Sequence, residues 1–174
     1  DPVAIIENHN GDSFTTTDSD GRNNYYQVGG YPETHFDGSY DVHSGGNQTQ
    51  SIYSTFLPKV EARMEIPTEF TLQMGGEYGE EGDFEISVLV TKVGEYENSN
   101  LKLRFAFTES HIPYNWFGLT EVNFVNRLMA PDHNGTAIEL VDVGDNVTVD
   151  LEFIIDNTWD LEHSELVAFV QDDV

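Results

Sequence analysis

The chain has no cysteine, only 7 lysines and arginines, and no long apolar run. Without cysteine there can be no disulfide, no zinc–thiolate site and no CxxC redox chemistry. The few cations stand against 32 Asp and Glu, a formal net charge of -25. Phosphate-backbone binding needs clustered Lys and Arg, so nucleic acid is not an expected partner. The same balance disfavours an anionic membrane surface. No stretch approaches the ~18 apolar residues of a membrane helix, so membrane insertion is not expected either. The chain opens on Asp1-Pro2 and passes into an apolar segment without a signal-peptide pattern. A mature exported protein or an internal fragment would begin this way.

What is present suffices for a folded protein. Of 174 residues, 38% are hydrophobic and 12% aromatic, enough to bury a core in one domain or two small ones. The acidity has two readings: a solvated, self-repelling surface, or carboxylates gathered around divalent cations. Residues 1–64 read as mixed α/β. Val3-Ala4-Ile5-Ile6 suits a buried strand, Thr34-His35-Phe36 and Ser39-Tyr40 flank an Asp37-Gly38 turn, and Ile52 to Met64 has helical spacing. Pro58 either kinks that helix or starts its regular part. From Ile66 the period becomes two, with alternating runs at 70–74, 84–90, 101–107, 147–155 and 166–170 separated by Gly, Asn and Asp turns. Short alternating strands with regular turns predict an antiparallel β-sandwich over 65–174. Residues 109–135 break the rhythm as a long connection, with a short helix expected around Phe124, Val125 and Leu128.

Two stretches carry a resemblance. Arg22 to Gly38 (RNNYYQVGGYPETHFDG) resembles the part of a thioredoxin fold where a helix leads to a cis-proline and then a core strand, which makes Pro32 the cis-proline candidate. Leu103 to Thr136, with its ESHIPYNW and VNFVNRLM segments, and Glu165 to Asp172 are similar to secreted and outer-membrane proteins of the Bacteroidetes type, in which a thioredoxin-like domain precedes a β-sandwich. The resemblance implies a mainly β chain: a thioredoxin-like remnant at 1–64, then an immunoglobulin-like sandwich at 65–174. It also implies departures. The strand and helix that carry CxxC in the full fold are missing, leaving a strand-sized vacancy between Val3–Ile6 and Thr34–Phe36, and relatives continue past Asp172 into another strand. Truncation, rearrangement or a strand lent by a neighbouring molecule would each account for this.

Candidate sites are few. Thr16-Thr17-Asp18-Ser19-Asp20-Gly21 partly matches a calcium loop, with Gln27 where a bidentate Glu would stand; helix capping by Asp18 or Asp20 competes with that reading. Glu77, Glu80, Glu81 and Asp83 crowd a glycine-rich loop, either exposed or relieved by Ca²⁺. Six scattered histidines lack HxH or HxxxH spacing. Tyr114-Asn115-Trp116-Phe117 is the candidate recognition patch, against the reading that these residues cover one end of the sandwich. Asn47, Asn134 and Asn146 open glycosylation-type sequons. No G-x-S-x-G elbow, phosphate-binding Gly-Lys loop or dinucleotide fingerprint occurs.

The expectation is therefore a non-enzymatic extracellular or cell-surface module for adhesion or ligand binding. Its partner would be a protein or glycan surface, with no cofactor beyond possible Ca²⁺. The competing expectation is a structural subunit that assembles with copies of itself by strand complementation. A degenerate redox or hydrolytic enzyme is the third.

Overall fold

The computed structural model describes residues 3–47, 49–79, 81–97, 100–116 and 118–173. The protein is mainly β, with antiparallel sheets and, among the described residues, two α-helices. In chain order these are α1 (Thr17–Tyr25), β1 (Glu33–Phe36), β2 (Asp41–Ser44), α2 (Tyr53–Met64), β3 (Phe70–Tyr78), β4 (Asp83–Lys92), β5 (Leu101–Glu109), β6 (Ile112–Trp116), β7 (Leu119–Val122), β8 (Val125–Ala130), β9 (Thr136–Ala137), β10 (Asn146–Ile154) and β11 (Ser164–Asp172).

Two larger sheets, β10-β4-β3 and β11-β5-β8, face one another across a shared core; the short β9 extends the β8 side of β5. The two-residue period puts Phe84, Ile86, Val88 and Val90 of β4 on the same side as Leu101, Leu103, Phe105 and Phe107 of β5, and all eight are buried in one cluster. Phe84 stacks on Phe153 at 5.0 Å, and Phe105 meets Phe153 at 5.3 Å. Each such side chain removed from water stabilises the fold by about 1.5–3 kcal/mol.

The outer face of β5 is buried too, which a polar-looking Lys-Arg-Ala-Thr alternation does not announce. Arg104 and Thr108 are each 1% exposed there. The cover is α1 with the segment before it. The helix is capped by Thr16, whose hydroxyl accepts from Ser19 N–H at 3.0 Å while the Ser19 hydroxyl accepts from Thr16 N–H at 2.8 Å. Capping thus belongs to Thr16, not to Asp18 or Asp20. Ser19 and Arg22, three residues apart, form its buried face. Arg22 donates to Tyr26 Oη at 2.7 Å and to Gln171 Oε1 of β11 at 2.8 Å. Gly21 is required inside the helix because the His133 ring lies 2.2 Å from where its Cβ would be.

The expected strand at Val3–Ile6 does not form; these residues are extended coil, with Val3 and Ile5 well exposed. A short apolar run supplies a strand only where a neighbouring strand offers a ladder, and the first such contact comes at Glu7. Its N–H donates to Phe124 O at 2.7 Å and its carbonyl accepts from Asn126 N–H at 2.9 Å. Glu7 therefore lies along the edge of β8, and among the described residues Val3–Ile6 forms no strand to border the vacancy expected between it and Thr34–Phe36. The β1-β2 hairpin forms a two-stranded sheet of its own.

Pro32 is preceded by a cis peptide bond, as expected, and so is Pro131. The hairpin after Pro32 packs against α2 through Phe36 and Phe56, edge to face at 5.1 Å, and through the Lys59–Asp41 and Arg63–Asp37 ion pairs. The helix starts at Tyr53, so Pro58 lies inside it and leaves the Ser54 carbonyl without its usual donor. Among its described residues α2 buries none fully.

Candidate functional site

The connection expected to be irregular over 109–135 is instead a continuation of the β5/β8 ladder. β5 runs through Ser110 and His111 into β6, and β7 returns through Asn123 and Phe124 into β8. β6 and β7 pair antiparallel, Ile112 opposite Val122, Pro113 opposite Glu121 and Trp116 opposite Leu119, with an irregularity between Pro113 and Trp116. The result is one long hairpin whose distal half is a two-stranded arm. The helix expected around Phe124–Leu128 is strand β8, because α1 covers its outer face while the core takes the inner one.

Two residues set the bend at the base of the arm. His111 (φ 58) and Phe124 (φ 57) both occupy the left-handed region, costly for side chains of this size. Each is held by a bond across the hairpin. His111 N–H donates to Asn123 Oδ1 at 2.9 Å, and Phe124 N–H donates to Ser110 Oγ at 2.9 Å. Ser110 N–H in turn donates to His163 O at 2.8 Å, which ties the base to the start of β11. Around it, His111 Nδ1 lies 3.2 Å from Glu121, and the His111 and His163 rings meet edge-on at 4.9 Å. The hydrogen bond that His163 donates to Asp160 raises the pKa of His163 above its ordinary value and lowers that of Asp160.

The arm divides the expected aromatic patch. Tyr114 is half-buried and sets its ring edge-on against Phe14 at 5.1 Å, fastening the arm to the N-terminal segment. Asn115 is exposed, Trp116 is 54% exposed and Phe117 lies outside the described residues. Leu119, opposite Trp116 and 53% exposed, was not an expected site residue; the register, unreadable without the turn, brings it there. An isolated two-stranded ribbon is marginal in water, so an arm carrying apolar side chains at its tip relies on its base and on Tyr114 for position.

Comparison with protein-family models, with curated proteins and with solved structures returns no match.

The other candidates disperse. Both Asp18 oxygens are engaged by backbone: Oδ2 accepts from Met129 N–H and Oδ1 from His133 N–H, each at 2.9 Å. Asp20 points away, exposed. Glu77 and Glu81 are exposed, Asp83 is half-buried at the start of β4, and Glu80 lies outside the described residues. Among the described residues no three His, Asp or Glu side chains are grouped to hold a metal ion. Glu77 instead belongs to a ladder: it lies opposite Glu85, which lies opposite Glu152 on the far strand. Of the sequon asparagines, Asn47 accepts from Thr49 and Gln50 N–H in a turn, and Asn146 is exposed at the start of β10. Among the described residues no helix is long and apolar enough to cross a membrane.

Proposed function

We infer that the protein is a non-enzymatic extracellular or cell-surface module for adhesion or ligand binding, and that the β6–β7 arm is its recognition element. The observation that carries this reading is the presentation of Trp116 and Leu119 side by side at the tip of a bent, braced hairpin. A large aromatic on a positioned ribbon gives much contact area with little loss of rotamer freedom, which suits a protein or glycan surface. In this reading the cis Pro32, β1-β2 and α2 are a thioredoxin-like remnant, and the two facing sheets are an immunoglobulin-like sandwich. The boundary falls between 64 and 65, and the chain is similar to the exported Bacteroidetes-type family. Any Ca²⁺ would act at the acidic β3–β4 loop. The test is an array of glycans and immobilised proteins probed with wild type and with a Trp116→Ala, Leu119→Ser double variant. Hits are expected with the wild type alone, and equal hits with the double variant would overturn the reading.

One observation favours a second reading, a structural subunit assembling by strand complementation. Among the described residues β3 is paired on one side only, along nine residues that are mostly exposed. Sedimentation separates the two: a 19.6 kDa monomer at micromolar concentration is expected for the recognition module, and concentration-dependent polymers for the subunit.

A further inference from the structure

The base of the arm adjoins a cleft of about 300 Å³ between the β3–β4 turn and the β10–β11 loop. Tyr78, Trp159 and Leu161 form its walls, buried Ile155 its floor, and Glu81 and Asn157 its polar rim. The walls rest on the core: Tyr78 packs on Phe84 at 4.8 Å and Trp159 on Phe107 at 5.5 Å. Two of its walls are thereby anchored on core aromatics, although Trp159 itself lies in the β10–β11 loop. Ile155 N–H donates to Gly82 O at 3.0 Å and Asp160 N–H to Glu109 at 2.9 Å, which fixes both loops.

The surroundings are acidic. Besides Glu81, the loops carry exposed Asp156, Asp160 and Glu162, with Glu77 on β3. Hydrogen bonds from Thr158 hold the Asp156 carboxyl below its ordinary range, and those from His163 and Glu162 do the same for Asp160, which favours the charged form of both. The cation Arg127 sits 5.1 Å over the Trp159 ring but is committed to Glu109 at 2.7 Å. An apolar floor with aromatic walls and a negative rim fits an alkyl stem ending in a positive head. The overall charge of -25 attracts such a ligand and repels anionic ones. A neutral sugar could use the Tyr78 hydroxyl, Asn157 and Glu81 of the same lining, but would draw nothing from the negative charge around it.

We propose that this cleft takes the arginine or lysine side chain of a basic peptide segment on the partner, a contact separate from the arm tip. The assignment deepens the recognition reading, and the two tryptophans allow the two to be tested apart. In the nuclear magnetic resonance spectrum, the indole N–H of Trp159 reports on the cleft and that of Trp116 on the tip; Trp116→Ala assigns them. The probe is a blocked Gly-Arg-Gly-Arg-Gly peptide, with its citrulline counterpart as a neutral isostere. The arginine peptide is expected to shift the Trp159 signal saturably in the wild type and in Trp116→Ala alike. Leu161→Lys, which places a lysine in the cleft from an exposed position, is expected to weaken this at least about ten-fold. Glu81→Gln should weaken it by a smaller factor, and added salt should weaken it further. An equal shift by the citrulline peptide, no saturable shift at millimolar peptide, or full binding to Leu161→Lys would overturn the proposal. So would a Trp159 shift produced by maltotriose in place of the peptide. None of these results bears on the array hits that test the arm.

Discussion

Replacing Asp18 by alanine tests how α1 is fastened, because the structure assigns very different roles to Asp18 and Asp20 in its first turn. Asp18 accepts Met129 N–H and His133 N–H across more than a hundred residues of chain, at 2.9 Å each, from a side chain 18% exposed. Hydrogen bonds to a charged group contribute about 1.5–3 kcal/mol each, and alanine would leave two backbone donors without partners. Taking the lower end because the carboxylate is partly wet, Asp18→Ala should cost about 2–4 kcal/mol. For a chain of this length that corresponds to a fall in Tm of about 5–12 °C. Asp20 is exposed and offers only its charge to the helix N-terminus, about 0.3–1 kcal/mol, so Asp20→Ala should lower Tm by no more than about 4 °C. Asp18→Asn keeps one acceptor and should fall between. Thermal unfolding followed by circular dichroism, with a urea titration as a check, measures all three. An Asp18→Ala midpoint within the range of Asp20→Ala would refute the argument that α1 is fastened to β8 by this carboxylate.

Other expectations follow from the same geometry. Gly135 has φ +68, and a Cβ there would lie 2.5 Å from Leu103 O and 2.9 Å from Arg104 Cγ, so Gly135→Ala should cost about 2–4 kcal/mol in denaturant titration. Gly144, φ +103 with open space around it, should cost only the conformational part. Glu85 faces Glu77 and Glu152 directly, so Glu85→Lys should stabilise by about 0.5–2 kcal/mol. If Ca²⁺ relieves that repulsion in the wild type, millimolar Ca²⁺ raises the wild-type midpoint and not that of Glu85→Lys. The raised pKa of His163 means its ion pair is fully present below the ordinary 6.5 and is lost as pH rises through the higher folded value. The lowered Asp160 keeps the pair intact above its ordinary 3.8 and loses it as pH falls through the folded value. A proton titration of His163 should therefore move toward its ordinary value in Asp160→Asn, and an unmoved titration would contradict the pairing.

The alternating runs of β3, β4, β5, β10 and β11 were legible because one face of each meets the core. The hairpin after Pro32 and the helix ending at Met64 were legible from turn chemistry and spacing. Other elements hid for identifiable reasons. α1 buries Ser19 and Arg22, polar residues that give no amphipathic signal, and it is capped by Thr16, ahead of the Asp18 and Asp20 carboxylates that the sequence offers for that role. β8 places apolar residues at 125, 128, 129 and 130, a helical spacing that arises because both faces of the strand are covered. Val3–Ile6 has strand composition but no strand beside it. In the candidate site Trp116 was visible as an aromatic in a long connection, whereas Leu119 joined it only through cross-strand register. The left-handed residues at the base, His111 and Phe124, are types that sequence reading would not place there.

The most direct test takes any ligand recovered from the array and measures its binding by interferometry to wild type, to Trp116→Ala with Leu119→Ser, and to Asn146→Ala, exposed at the far end of β10, as a remote control. Truncating an exposed aromatic anchor at a recognition centre typically costs 2 kcal/mol or more, about thirty-fold in affinity. The double variant should bind at least that much more weakly, with its Tm unchanged and the remote control at wild-type affinity. Wild-type affinity in the double variant would contradict the assignment of the β6–β7 arm as the recognition element.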